Sequence, residues 1–290
     1  MNRSDHLKQG EKGAWLSIIA YLILASSKLY IASIGNSDGL RADGLNNLTD
    51  IVTSVAVLIG LKIARKPPDD IHRYGHYRAE TIASLFAAFI MMFIGIQVII
   101  EAGQKLINSS YTQPDMLTAW TAIFAAVIML FVYRFNLRLS KKIESGSLYA
   151  AAMDNKADAL VSIGVFIGII GAQFGLFWLD PLTAGVVGII ICKTAWDIFK
   201  DSTITLTDGF DDEKLTEIKE TIDKDPSVLR VDDIKGRIHG NQELLDITIH
   251  VDPNLTVAEG HEITDRIEEY LYDKHRISHA LIHIEPFEEK

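Results

Sequence analysis

Apolar residues fill the first two thirds of the chain in six long stretches, at about 14–35, 42–64, 80–103, 116–138, 147–172 and 178–199. A helix needs about 20 residues to cross a hydrocarbon core, and each stretch reaches that length. Buried helices of a large soluble protein are the competing explanation, but six such runs at near-regular spacing favour a membrane bundle. After Asp208 the period changes. "DDEKLTEIKETIDKD" reads as an amphipathic helix with acids in its first turn, where the helix dipole favours them. "SVLRVDDIKGRIHG" and "ELLDITIHVDP" alternate as strands do, joined by a turn at Gly240 to Gln242. "TVAEGHEITDRIEEYLYDKH" is a second helix, with Thr256 and Glu259 spaced as a capping box, and "HALIHIEPF" is a last strand. The predicted fold is therefore a membrane α-helical bundle of six transmembrane helices, residues 1–205, followed by a ferredoxin-like αββαβ domain of the α+β class, residues 206–290.

Charge sharpens the division. Residues 206–290 carry 22 acidic and 10 basic side chains, whereas residues 1–205 carry 16 and 18. A net charge of −10 lacks the basic footprint of a nucleic-acid binder, and a single cysteine, Cys192, excludes a disulfide scaffold. Lys and Arg near the spans collect on one side: Arg3, Lys8 and Lys12; Arg65, Lys66, Arg73 and Arg78; Arg134, Arg138, Lys141 and Lys142; and Lys200. Arg41 and Lys105 are the few on the other. The positive-inside rule then puts both termini in the cytoplasm, in a multi-pass protein of the cell membrane. The first apolar segment is too long for a cleavable signal peptide and is expected to remain as a helix.

Certain side chains do not belong in lipid. An ionisable group at mid-span costs at least about 2.5–3.5 kcal/mol, so one that is retained marks a pathway or a ligand site. In "RADGLNNLTDIVTS", Asp43, Asn46, Asn47 and Asp50 recur at steps of three and four, one stripe of a helix. In "SLYAAAMDNKADALVSIG", Asp154 and Asp158 lie four apart. Asn46 and Asp50 from one span can converge with Asp154 and Asp158 from another on a single ion, offering three carboxylates and one amide. Oxygen-only ligation suits Mn²⁺, Mg²⁺ or Ca²⁺ better than Zn²⁺. Crowded carboxylates repel once the ion leaves and titrate together, which links metal release to proton uptake. No Ser-His or Cys-His arrangement lies at membrane depth, so an enzyme is not expected.

With the two span pairs, the string "PDDIHRYGHYRAE" before the third span, the "LDPLTAG" opening the sixth and the acidic tail, the chain resembles the cation diffusion facilitator family over nearly its whole length. The resemblance implies efflux of a divalent cation in exchange for protons, by a homodimer whose tail dimerises and senses metal. The Asn-Asp-Asp-Asp set resembles the manganese-exporting branch. Mn²⁺ is thus the expected cargo and no prosthetic group is required; Fe²⁺ or Zn²⁺ efflux, or a membrane metal sensor that does not transport, are the alternatives. The resemblance further implies a second metal position at Asp69, His72 and His76, where the four-residue spacing of the histidines suits a helix. In the tail it implies a cluster of Asp232, His250, His261, His283 and Glu285, with Asp232 replacing the histidine often found first in relatives. It also implies an ion pair between Arg78 and Asp208. His239, His275 and His279 match no motif and are expected at the surface.

Overall fold

In the computed structural model, residues 3–64, 66–143, 146–239, 242–277 and 279–287 are described. Six long helices come first: α1 (Arg3–Gly35), α2 (Asp38–Ala64), α3 (Arg78–Ile107), α4 (Met116–Ile143), α5 (Gly146–Gln173) and α6 (Leu179–Leu206). Five of them contain stretches apolar enough to cross a membrane. The exception among the described residues is α2, whose run is interrupted by Asp38, Arg41, Asp43, Asp50 and Lys62. It nonetheless has the span's length, and its polar stripe is turned inward: Asp43, Asn46 and Asn47 are all buried.

The chain divides into two compact units, residues 1–57 with 86–198 and residues 58–85 with 199–290. In the first, bulky apolar side chains such as Phe93, Phe124, Phe131 and Ile167 face outward. The interior is lined by small ones, Ala119, Ala122, Ala126, Ala152 and Ala159, with Leu40, Met91, Ile169 and Ile191 among the larger buried groups. Large apolar groups outside and small or polar groups inside are what a bundle solvated by lipid requires, because close packing rather than water exclusion holds its helices together. Gly44 of α2 shows the closeness, since a Cβ there would sit 3.0 Å from Leu29 and 3.1 Å from the Cβ of Lys28.

The second unit contains α7 (Asp212–Ile222), β1 (Arg230–His239), β2 (Gln242–Val251), α8 (Val257–His275) and β3 (His279–Pro286), the αββαβ order expected. The sheet order is β1-β2-β3, antiparallel between β1 and β2 and parallel between β2 and β3, with α8 making the crossover. Of the turn expected at Gly240 to Gln242, residues 240 and 241 lie outside the described residues. The capping box is present, with the Glu259 carboxylate accepting from the Thr256 amide at 2.8 Å and the Thr256 hydroxyl accepting from the Glu259 amide at 3.3 Å. Ile218, Ile222, Ile247, Ile249, Ile267 and Leu271 form the core. The sixth apolar run ends near 199, yet α6 continues to Leu206, where Asp208 adopts a left-handed conformation (φ +59°) and the Gly209 amide returns to the Ile204 carbonyl at 2.8 Å. No breaker stands before Asp208, so the helix outruns its apolar segment.

One half-buried pair ties the tail together. Arg266 donates from Nε to Asp225 at 2.7 Å and from a terminal nitrogen to the other carboxylate oxygen at 3.0 Å, with Ser227 Oγ at 2.9 Å. These contacts hold the Asp225 carboxyl below its ordinary range. Arg266→Ala strands a buried carboxylate and should destabilise the tail, by less than the loss of a fully buried pair because the arginine is partly exposed. Since the carboxyl is depressed in the folded state, this contribution is present above the ordinary 3.8 and disappears as pH falls through the folded value. Urea titration of the full-length protein over a series of pH values checks both points: the gap between wild type and variant should be largest at pH 7 and should shrink progressively as pH is taken below 3.8.

Candidate metal centre

Helices α2 and α5 bring the predicted donors together at Asn46 and Asp158, both buried, where Asn46 Nδ2 donates to Asp158 Oδ1 at 3.0 Å. Asp50 lies one turn along α2, with one carboxylate oxygen buried and unpartnered, and it feels the charges of both Asp158 and Asp154. Asp154, one turn back along α5, is exposed. The four donors thus run from a closed end at Asn46 and Asp158 to an open end at Asp154. The three carboxylates are not all within 4.8 Å of one another, so the constellation is looser than a closed cage.

Sequence reading overlooked the groups that support these donors. Tyr21 of α1 donates to Asp158 Oδ2 at 2.7 Å, and Asn155 Nδ2 donates to the Tyr21 hydroxyl at 2.9 Å. Asn155 Oδ1 accepts from Asn136 of α4 at 2.9 Å and from Ser17 of α1 at 3.3 Å. One Asp158 oxygen is therefore fixed by a tyrosine while the other faces α2. A phenol inside a span was the available signal, because a buried Tyr hydroxyl normally finds a partner. A second overlooked group is Lys28 of α1, which pairs with Asp43 at 2.9 Å and donates to Asn47 Oδ1 at 2.7 Å and Ser162 Oγ at 3.0 Å. The Asn47 oxygen is thereby committed to Lys28, whereas the Asn46 side chain meets Asp158.

The "LDPLTAG" segment has a physical role. Asp180 accepts from the Ser37 hydroxyl at 2.7 Å and from the amides of Asp38 at 2.6 Å and Gly39 at 3.2 Å, capping the first turn of α2 from α6.

Among the described residues, one group of three or more His, Cys, Asp or Glu has ligand atoms all within 4.8 Å: Asp69, His72 and His76. Nδ1 of His72 is 3.1 Å and Nε2 of His76 is 3.4 Å from the Asp69 carboxylate. The segment is not helical, so helical spacing does not explain the approach. A turn with Gly75 at φ +83°, a conformation glycine adopts without strain, brings the two rings to 4.2 Å between centroids. The amides of Ile71 at 3.0 Å and His72 at 2.6 Å donate to Asp69 and hold its carboxyl below the usual range.

In the tail, His250 and Glu285 are register partners on β2 and β3, with His250 Nε2 3.8 Å from both Glu285 and Asp232. His283 stands 3.5 Å from Glu285. His261 pairs instead with Asp265 on its own helix, at 3.7 Å. Arg230, unnoticed in the sequence, occupies the middle of this group, hydrogen-bonded to Asp232 and 3.1 Å from His250 Nε2.

Arg78 donates to Asp208, and the two side chains are 36% and 51% exposed. That exposure keeps the direct contribution of the pair to about 1 kcal/mol or less. Two of the histidines expected at the surface are partly buried. His239 packs edge-on against Tyr74 and Tyr77, where burial and then Arg78 and Arg237 hold its pKa below the ordinary histidine value. His275 lies 2.9 Å from the Thr221 hydroxyl, and His279 is exposed.

A family model described as "Cation efflux transmembrane domain" matches residues 14–207, and one described as "Cation efflux protein, cytoplasmic domain" matches residues 210–287. The chain is 53% identical over 290 residues to the manganese efflux system protein MneS of Bacillus subtilis, covering 100% of each. It is 30% identical over 300 residues to the manganese efflux system protein MneP of the same bacterium, covering 99% of each. It is also 50% identical over 286 residues to the uncharacterized transporter YdbO, again covering 99% of each.

Proposed function

Because the chain belongs to the cation efflux family, we propose that this multi-pass membrane protein exports Mn²⁺ from the cytoplasm in exchange for protons, through Asn46, Asp50, Asp154 and Asp158. The observation that carries the reading is the contact of Asn46 on α2 with Asp158 on α5, beside an unpartnered Asp50 oxygen. Four oxygen donors without imidazole or thiolate favour a hard divalent ion. The manganese named for two of the relatives agrees with that chemistry. Arrival of the ion needs small movements only: the Asn46 amide turns its oxygen toward the ion in place of its nitrogen, and the carboxylates close in. Departure leaves three carboxylates crowded, and protons take the place of the ion.

In this reading both termini are cytoplasmic, residues 1–205 conduct the ion, and residues 206–290 form the dimerising and metal-sensing part of a homodimer in the cell membrane. Asp69, His72 and His76 supply a second cation position. Asp232, His250, His283 and Glu285 supply a tail position in which the ion displaces the Arg230 guanidinium. His261 joins only by changing rotamer or from a second copy of the chain. The ion alters the tail arrangement only as far as it prefers one arrangement over another.

Uptake by proteoliposomes tests the reading, with Mn²⁺, Fe²⁺, Zn²⁺ and Mg²⁺ each offered at two imposed pH gradients. Mn²⁺ should be carried best, and its rate should rise with the gradient. Metal that binds without moving would identify a sensor, and a rate indifferent to pH would remove the proton.

A further inference from the structure

The most deeply buried charge in the first unit is one that the transport site does not use. Lys28 and Asp43 form an ion pair with both side chains 0% exposed, inside helices that span a membrane. The ammonium also reaches Asn47 and Ser162, and Ser162 donates in turn to Asp43 at 2.8 Å, so one lysine joins α1, α2 and α5. The position of this knot along the helices is informative. Asp43 precedes Asn46 by about one turn of α2, Asn47 stands level with Asn46, and Ser162 follows Asp158 by one turn of α5. The knot therefore lies beyond the closed end of the site, away from the exposed Asp154.

Past the knot the bundle is closely packed and stitched together by hydrogen bonds. Leu40, Val165 and Ile169 are buried to 1% exposure or less. The three connections at that end are tied by the Asp115 amide to the Gly35 carbonyl at 2.8 Å, Gln113 to Gln173 at 3.1 Å, and Ser37 to Asp180 at 2.7 Å. Yet the knot itself is incompletely satisfied, since Asp43 Oδ1 and Asn47 Nδ2 are buried with no hydrogen-bond partner. Polar groups buried in this way raise the free energy of the closed arrangement and so narrow its margin over an open one.

Resting on the efflux reading above, we infer that Lys28 is the latch of the gate on the far side of the transport site, and that it couples occupancy of that site to opening of the gate. With the site free of metal, the ammonium is attracted by Asp43 and, at longer range, by Asp50 and Asp158. A divalent ion among Asn46, Asp50, Asp154 and Asp158 reduces three negative charges to one and so removes most of the longer-range attraction that holds the ammonium. The closed arrangement loses stability relative to the open one only when cargo is present, which is the differential a ligand must supply to shift a conformational equilibrium. When the ion leaves, the carboxylates that the entering protons do not neutralise recover their hold on Lys28, and the gate recloses. Lys28 touches none of the four donors, so it is a positioning residue and not a ligand.

The test uses the full-length protein in intact cells, in a Cys192→Ser background carrying Val165→Cys, a buried position beyond the knot. A membrane-impermeant maleimide is added outside, with and without Mn²⁺ loading. In the parent, labelling should be slow and should accelerate with Mn²⁺. Lys28→Met should label about tenfold faster without Mn²⁺ and lose its response to the ion. Should that variant fail to fold with Asp43 left unpaired, Lys28→Met with Asp43→Asn removes both charges and carries the same measurement and expectation. Labelling at the parent's rate in the variants overturns the latch, because a merely structural pair would change yield and thermal stability without altering access to Val165→Cys. Mn²⁺ efflux by the protein with Lys28 intact is measured alongside. Its absence would overturn the transport reading, while the labelling rates still decide whether Lys28 holds the gate.

Discussion

Asp158→Ala is expected to abolish Mn²⁺ efflux, lowering the initial rate in proteoliposomes by at least about 100-fold, the factor that corresponds to losing about 3 kcal/mol of charged hydrogen bonding and ligation. Asp158 is the donor with the most invested in its placement: Tyr21 fixes one oxygen at 2.7 Å and Asn46 meets the other at 3.0 Å. Removing the carboxylate also leaves a buried phenol and a buried amide without an acceptor. Asp158→Asn separates the two effects. It keeps the shape and one acceptor but carries no charge, so the helices should remain packed while transport fails. Tyr21→Phe removes the support and leaves the carboxylate free to swing, so its defect should be smaller and should show in apparent affinity before turnover. Normal efflux by Asp158→Asn, at a protein level matched to wild type, would remove this residue from the pathway and with it the site.

How much of this was visible in the sequence depends on the range over which each feature is encoded. Helix spans, the change of period after Asp208 and the Thr256–Glu259 box are local, and each lies where patterning indicates. The α2 stripe was equally readable, because the period of a helix alone puts Asp43, Asn46, Asn47 and Asp50 on one face. Which member of the stripe meets which neighbour was not readable. Asn46 and Asn47 are chemically identical and adjacent, and only the approach of α1 separates them, by giving Asn47 to Lys28. Tyr21 and Lys28 were missed for a related reason: attention fell on carboxylates, and the partners of a carboxylate are supplied by another helix, 137 residues away for Tyr21 and Asp158 and across the α1–α2 connection for Lys28 and Asp43. The same limit explains the His72–His76 approach, which depends on a left-handed Gly75 instead of a helix.

These misses point one way. The two principal groups overlooked among the spans are donors that face acceptors read from the sequence: Tyr21 for Asp158, and Lys28 for Asp43 and Asn47. In a bilayer an unpaired carboxylate or amide has no water to turn to, so each acceptor read from a span obliges a donor on a facing helix. The search for the second half of such pairs belongs in the reading of any membrane sequence. Applied here, it leads directly to the lysine and the tyrosine of α1.

Asn46→His should bring Zn²⁺ into reach, raising Zn²⁺ transport relative to Mn²⁺ by about tenfold or more, since imidazole favours later divalent ions and Mn²⁺ stands at the weak end of the series. The substitution is made at a buried position already within hydrogen-bonding distance of Asp158, so a ring nitrogen introduced there replaces the amide as the group facing the carboxylate. It changes the kind of donor without changing the number of carboxylates, and thereby isolates selectivity from charge. Asn47→His is the control. Its side chain faces Lys28 at 2.7 Å, so a histidine there should disturb the Lys28 knot and confer no gain in zinc. Metal competition in proteoliposomes, with the two variants side by side, distinguishes the cases. An unaltered metal preference in Asn46→His would mean that the amide only props Asp158 in place. The cation would then be held by Asp50, Asp154 and Asp158 with a fourth oxygen from elsewhere, and an amide rather than an imidazole at position 46 would have no bearing on metal preference in this chain.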